Sequence, residues 1–348
     1  MGTDLARFSC SEFDAELTRR LERLGAAVQA AWEVMGPQVD AIRSPREAQQ
    51  RWAVAEAAHA ALNEAWDELA RRKDIRLGRA NGAGVPGGDR FRASYEDLEA
   101  QMKALAEADG DAFLPNPEPL GPVEYVFICM EPSLGRWARS PGEAKARVEA
   151  GFRNFVSSVE DFILHFCIRQ YLCEPAEHYH ITDLSKGAML VERASIDRNS
   201  RYDRWYGLLV EELDLVAKPG AGIFAVGNAV AQYLTGREFP RPVTRVIHYS
   251  GQAGRARAAA IAGHEDDFEK FRNSVSLELL LVTAKDVLNK SVPANVRDET
   301  LARLRTGSEL SLSRKQLIFN YKLAFEGHKR SQAATRRLSP AQLPPEAH

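Results

Sequence analysis

The sequence predicts an α/β fold, a three-layer α/β/α sandwich with a four-stranded parallel sheet, plus helical N- and C-terminal additions. Three observations predict it. Short apolar, β-branched runs at 125–130, 178–184, 222–227 and 243–249 alternate with helix-length stretches, the signature of βαβ units and a parallel sheet. Each run ends in a short polar motif. Stretches with apolar residues at helical spacing precede and follow this region.

Residues 1–110 read as helical. Ser11-Glu12-Phe13-Asp14 resembles a capping box, with Leu17, Leu21, Leu24, Val28 and Trp32 following on one face. Ser44-Pro45-Arg46-Glu47 opens a second helix that runs to about Arg72. The glycine-rich 81–88 is a loop, and a third helix spans Tyr95 to Ala108. Leu114 to Pro119 alternates with proline, a stiff linker that marks the domain boundary. Beyond it, Ser140-Pro141-Gly142-Glu143 caps a helical region reaching Leu172. A helix over Trp205–Ala217 ends at Pro219-Gly220, and another starts at Asn228. The expected organisation is a helical region 1–115, an α/β core 116–262, a helical extension 263–338 and a disordered tail 339–348.

The 348 residues are 45% hydrophobic and 27% charged, an ordinary globular composition. No apolar run is long enough to span a bilayer, and the start lacks the pattern of a secretory signal. Cys10, Cys129, Cys167 and Cys173 form no C-x-x-C pair, so they read as reduced thiols of a cytoplasmic protein with no zinc or iron–sulfur site. The formal net charge is −2, yet cations cluster. One group is Lys186, Arg193, Arg198, Arg201 and Arg204, and a second is Arg237, Arg241, Arg245, Arg255 and Arg257. A third lies between Arg303 and Arg337. A local positive groove is compatible with a near-neutral total.

The run ends read Cys129-Met130-Glu131-Pro132-Ser133, Thr182-Asp183-Leu184-Ser185-Lys186, Ala225-Val226-Gly227-Asn228 and Ile247-His248-Tyr249-Ser250. In an open parallel sheet, ligands bind at the carboxyl ends of the strands. Glu131 there suits a general base for water or an anion facing a developing cation. His248 suits a hydrogen-bond donor to an oxygen gaining charge. Taken singly, Glu131 reads as a cap or ion-pair partner, His248 as structural, Asp183 as a turn residue and Gly227-Asn228 as a routine strand–helix junction. Their order and shared placement raise the catalytic reading.

Over roughly 120–262 these segments resemble the motifs of the uracil-DNA glycosylase superfamily, G-x-[D/N]-P-[Y/G] or G-E-A-P-G, T-N-L-x-K, A-L-G and H-P-S, in the same order. The chain departs in detail: Cys129 and Tyr249 stand where that family has glycine and proline. The resemblance implies that Glu131 activates water or stabilises the sugar cation, that His248 stabilises the departing base, and that Asp183 takes the place of the base-reading asparagine. It also implies that Phe155 stacks on the base, with core packing an equal reading. Gly227, Asn228 and Ser250 would approach DNA phosphates. The loop from Gln252 to Arg257, with Arg255, would enter the duplex as the base leaves. Lys186 would support the Asp183 loop or contact a phosphate.

Uracil matches an amide, which has both a donor and an acceptor, whereas a carboxylate only accepts. Cytosine offers an amino group to such an acceptor, so Asp183 points from uracil to a cytosine-like base. A protonated Asp183 would also donate to the ring nitrogen. Ser133, small where some relatives carry tyrosine, leaves room at the base 5-position. The expected activity is a monofunctional glycosylase removing a hydroxymethylated or glucosylated cytosine of phage DNA, an antiviral role that some bacterial glycosylases of this fold fill. It needs no metal or organic cofactor, and double-stranded DNA with a flipped base is its partner. The alternatives are a uracil or deaminated-base repair glycosylase, a catalytically degenerate nucleic-acid-binding module, and an assembly protein built on the N-terminal helices.

Overall fold

The computed structural model describes residues 88–135, 137–194, 196–249, 254–307 and 310–338. The expectations for the helices before residue 81, for positions 81–87 of the 81–88 loop and for the 339–348 tail lie outside these residues; the helix expected from Tyr95 starts at Gly88, the last position given to that loop. Contacts divide the chain into Met1–Val85 and Pro86–His348. The fold is mixed α/β around a four-stranded parallel sheet, with many helices.

In chain order the elements are α1 (Gly88–Ala108), β1 (Ala112–Phe113), β2 (Val123–Cys129), α2 (Pro141–Glu149) and α3 (Val159–Cys167). A π-helical turn (Ile168–Leu172) leads to β3 (Tyr179–Asp183), β4 (Gly187–Ala188), α4 (Val191–Ala194), α5 (Arg198–Val216) and β5 (Ala217–Val226). Then come α6 (Asn228–Gly236), β6 (Val243–Val246), α7 (Gly254–Ala259), α8 (Glu265–Phe271), α9 (Leu277–Ser291), α10 (Ala294–Gly307) and α11 (Leu312–Leu338). The larger sheet has the order β3-β2-β5-β6, and β1 pairs antiparallel with β4.

β2 is buried almost throughout, as a central parallel strand must be. Its alternate residues feed two cores. Tyr125, Phe127 and Cys129 join Phe224 and Val226 of β5 in a cluster with α3, α9 and α11. Val126 and Ile128 join Ile223 and Ala225 in a second cluster with α1, α5 and α6. Registers align Cys129 with Asp183, Ile128 with Ala225 and Val226 with Val246. The carboxyl ends of the strands therefore lie at one edge of the sheet.

Two expected boundaries move. The division falls before α1 rather than in the 114–119 linker, because α1 buries Tyr95 against the sheet cluster and Leu98 and Met102 against Trp205. The 263–338 helices are not appended to the core; Leu288 of α9 and Leu317, Ile318, Tyr321 and Phe325 of α11 are part of it. The helical region expected from Ser140 to Leu172 is broken. Ser140 caps α2 as expected, but Gly151 adopts φ +100° and Phe155 φ +56°, and Ser158 and Asp161 form a new capping box for α3. The helix expected to start at Trp205 starts at Arg198.

Cys129 and Cys167 are buried free thiols, and Cys173 is half-buried. Among the described residues no helix is long and apolar enough to cross a membrane.

Candidate functional site

From β2 the chain crosses to β3 on one side and returns to β5 on the other, so the strand order reverses between β2 and β5. Ligand crevices in open α/β sheets open at such a point, beyond the carboxyl ends. Glu131 follows β2 and Gly227 follows β5; Asp183 ends β3 and His248 follows β6. The four motif ends are thus brought to one edge.

Glu131 is not loose at this edge. Its side chain is 3% exposed, and Arg198 and Arg201 of α5 reach Oε1 at 3.1 and 3.8 Å. The Tyr202 hydroxyl donates to Oε2. Burial, and then the Glu131 charge, push the Tyr202 phenol well above its usual range.

Asp183 is buried, and Asn154 Nδ2 donates to its Oδ2 at 2.6 Å. Burial drives the carboxyl well above the usual carboxylate range, against the Lys186 charge and with help from Glu131 and Glu212. Burial thus favours the neutral carboxyl, a form that can both donate and accept. Its backbone is strapped to the first motif, since Leu184 and Ser185 donate to the carbonyls of Cys129 and Met130.

His248 is half-buried and stacks on Tyr249, with ring centroids 4.8 Å apart and planes 20° from parallel. Burial and then Arg257 lower its pKa, which favours neutral imidazole at neutral pH. Gly227 lies beside it at φ +100°; a Cβ there would stand 3.2 Å from His248 Cβ and Cδ2. Only glycine fits this approach comfortably.

The other expected site residues divide. Ser133 is exposed, with its carbonyl accepting from Trp137 Nε1 at 2.6 Å. Phe155 is 3% exposed and packs in the sheet cluster, the core reading of that residue. Asn228 is exposed at the start of α6 and accepts from Arg245 Nη1 at 2.7 Å. Ser250 and Gln252 lie outside the described residues, as does the Arg255 side chain, whose backbone belongs to α7.

Three residues expected to contact DNA, Lys186 at a phosphate unless it braces the Asp183 loop, Arg257 in the loop entering the duplex and Gly227 at a phosphate, turn inward instead. Lys186 is 1% exposed, and its ammonium donates inward to Thr182 Oγ1 at 2.7 Å and Glu212 Oε2 at 2.5 Å. It supports the Asp183 loop. Arg257 is also buried; it donates to the Tyr249 carbonyl at 2.5 Å and Ser313 Oγ at 3.1 Å, bracing the His248 loop. The Gly227 N–H donates to the Val246 carbonyl at 2.8 Å, so it serves the sheet.

Sequence reasoning also missed a buried polar network under the site. Glu212 accepts from His180 Nε2 at 2.9 Å and from Thr182 and Lys186, and none of these side chains reaches solvent. Burial alone would raise Glu212, but the Lys186 charge and His180 hold it down at about 2. Asn116 continues the chain of contacts, donating to Thr182 Oγ1 at 3.3 Å and accepting from Asn154 at 3.4 Å. A signal for Glu212 existed. Tyr202, Trp205, Leu209, Glu212 and Val216 share the buried stripe of α5, and a carboxylate on such a stripe requires a partner.

No family model, curated protein or solved structure matches this chain. Two surface grooves, one of about 600 Å³ beside His264, Phe319 and Arg330 and one beside Arg297 and Arg305, touch none of the strand-end residues.

Proposed function

We propose that this chain is a monofunctional DNA glycosylase that flips a C5-modified cytosine out of double-stranded DNA and hydrolyses its N-glycosidic bond, leaving an abasic site. One observation carries the reading. The carboxyl that stands where the resembled family has an amide is buried and accepts from Asn154, and burial favours its neutral form. With its O–H turned to ring N3, such a group matches the ring nitrogen and amino group of cytosine and opposes uracil at both positions.

In this reading the bond between the sugar and the base breaks with its electrons leaving on the base. Neutral His248 donates a hydrogen bond to the oxygen that gains charge. Glu131 faces the oxocarbenium-like sugar and takes the proton of the attacking water. Water is the co-reactant. The two helix groups form the outer layers of a three-layer α/β/α sandwich, and the enzyme works in the cytoplasm against hypermodified phage DNA. Exposed Ser133 leaves space for the C5 substituent.

The second reading is a nucleic-acid-binding module without catalysis. The engagement of Glu131 by Tyr202, Arg198 and Arg201 favours it. Duplexes containing uracil, cytosine, 5-hydroxymethylcytosine or its glucosylated form separate the readings, with the released base identified by mass. Release of a modified cytosine is expected. Release of uracil alone would remove the Asp183 argument. DNA binding without release of any base would leave the module.

A further inference from the structure

Asn154 belongs to none of the four motifs, yet it is fastened from several sides. Its backbone N–H donates to the Pro115 carbonyl at 2.9 Å. Its Oδ1 accepts the Phe155 N–H at 3.0 Å, so the amide cannot be turned over and its NH₂ must face Asp183. Nδ2 donates to Asp183 Oδ2 at 2.6 Å and to Asn116 Oδ1 at 3.4 Å. The turn is strained, because Phe155 is a bulky residue at φ +56°. His165 Nε2 fixes the Phe155 carbonyl at 2.9 Å. A left-handed phenylalanine held in this way indicates a position the fold is built to keep.

We propose that Asn154 is the positioning residue that makes Asp183 a reader of cytosine. By donating to Oδ2 it sets that oxygen as the carbonyl and leaves Oδ1 to carry the proton. The carboxyl then presents O–H to ring N3 and a second Oδ2 lone pair to the exocyclic amino group. Uracil would bring a donor against the O–H and an acceptor against Oδ2. The inference rests on the base-excision reading of the site.

The charges around Asp183 give a second readout. Lys186 faces it from its own loop, Glu131 and Cys129 from the end of β2, Glu212 from α5 and Tyr249 from beyond β6. The Asn154 hydrogen bond favours the ionised form, so its loss moves the ionisation of Asp183 to higher pH. Removing Asn154 should therefore weaken base preference while extending binding to more alkaline pH. A merely structural role would not couple these effects.

The test uses the full chain and two uncleavable duplexes, one with 2′-fluoro-5-hydroxymethyldeoxycytidine and one with 2′-fluorodeoxyuridine. Their affinities are measured across pH. Asn154→Ala removes the amide; Asn154→Ser keeps an acceptor for the Phe155 N–H but cannot reach Asp183, and serves if the alanine variant does not fold. The wild type should prefer the cytosine duplex. Both variants should lose about tenfold or more of that preference, the discrimination expected of one bidentate base contact, with the alkaline limb moved upward. An unchanged preference and limb, or a wild type without preference, would overturn the proposal. A wild type that prefers the cytosine duplex but releases no base from cleavable DNA would end the glycosylase reading and leave the role of Asn154 standing.

Discussion

The Tyr202 hydroxyl donates to Glu131 Oε2, tying α5 to the end of β2 across 71 positions of sequence. Arg198 and Arg201, within one turn of Tyr202, hold the other oxygen. On the proposed mechanism this grip aims the carboxylate at the sugar. Glu131→Gln keeps the shape and loses the proton acceptor, so base release should fall by about 100-fold or more, the usual range for a general base. Tyr202→Phe should cost about 1–3 kcal/mol of stability, since a hydrogen bond to a buried charged group is lost. Release kinetics check the first and urea unfolding the second. Full activity in Glu131→Gln would remove Glu131 from the chemistry.

Lys186 and Glu212 form a buried pair at 2.5 Å, with His180 and Thr182 completing it. Removing one partner of such a pair leaves an uncompensated charge. Lys186→Met should destabilise the fold by about 3–5 kcal/mol, and Lys186→Met with Glu212→Leu should recover much of that. The pH dependence has a definite sign. Glu212 is depressed to about 2, so its contribution is present above the ordinary glutamate range and lost as pH falls through about 2. Unfolding midpoints at pH 7 and pH 3 check both statements; equal losses in single and double variants would show that the pair is not coupled.

The parallel sheet and its four polar ends were legible in the sequence because the period of the apolar runs and the helix caps act locally. Ser140 and Asn228 open helices where the pattern puts them. Side-chain direction was less legible. Lys186 and Arg257 belong to basic clusters, and only tertiary packing shows that both point inward. Asn154 carried no local signal, because its side-chain contacts are with Asp183, 29 positions on, and Asn116, 38 positions back. Glu212 was legible in principle, as a charge on an apolar stripe, but its partners were not.

Asp183 gives the sharpest test of base choice. Its raised pKa means that the folded chain holds the proton more tightly than the unfolded one. That contribution is fully present below the unfolded value near about 4 and is lost as pH rises through the folded value. Asp183→Asn removes the titration, so the stability difference between variant and wild type should grow in favour of the variant as pH rises. The amide also restores the donor and acceptor that uracil needs. Preference should therefore shift towards uracil by about tenfold or more. Paired release assays on uracil and 5-hydroxymethylcytosine duplexes check the shift, and an unchanged ratio would mean that Asp183 does not read the base.

Gly227 sets the place of His248. Its φ of +100° and the 3.2 Å approach of an added Cβ to the imidazole leave an alanine no comfortable position. Gly227→Ala should cost about 1–3 kcal/mol from the strained backbone. It should also displace the imidazole from its present place. On the proposed mechanism base release then falls while binding of an uncleavable duplex holds, because His248 acts on the leaving base and Asp183 on its recognition. Thermal unfolding, histidine NMR shifts and single-turnover release measure the three effects. A variant that loses stability yet keeps both the His248 signals and the release rate would show that the close packing of Gly227 and His248 serves the fold alone.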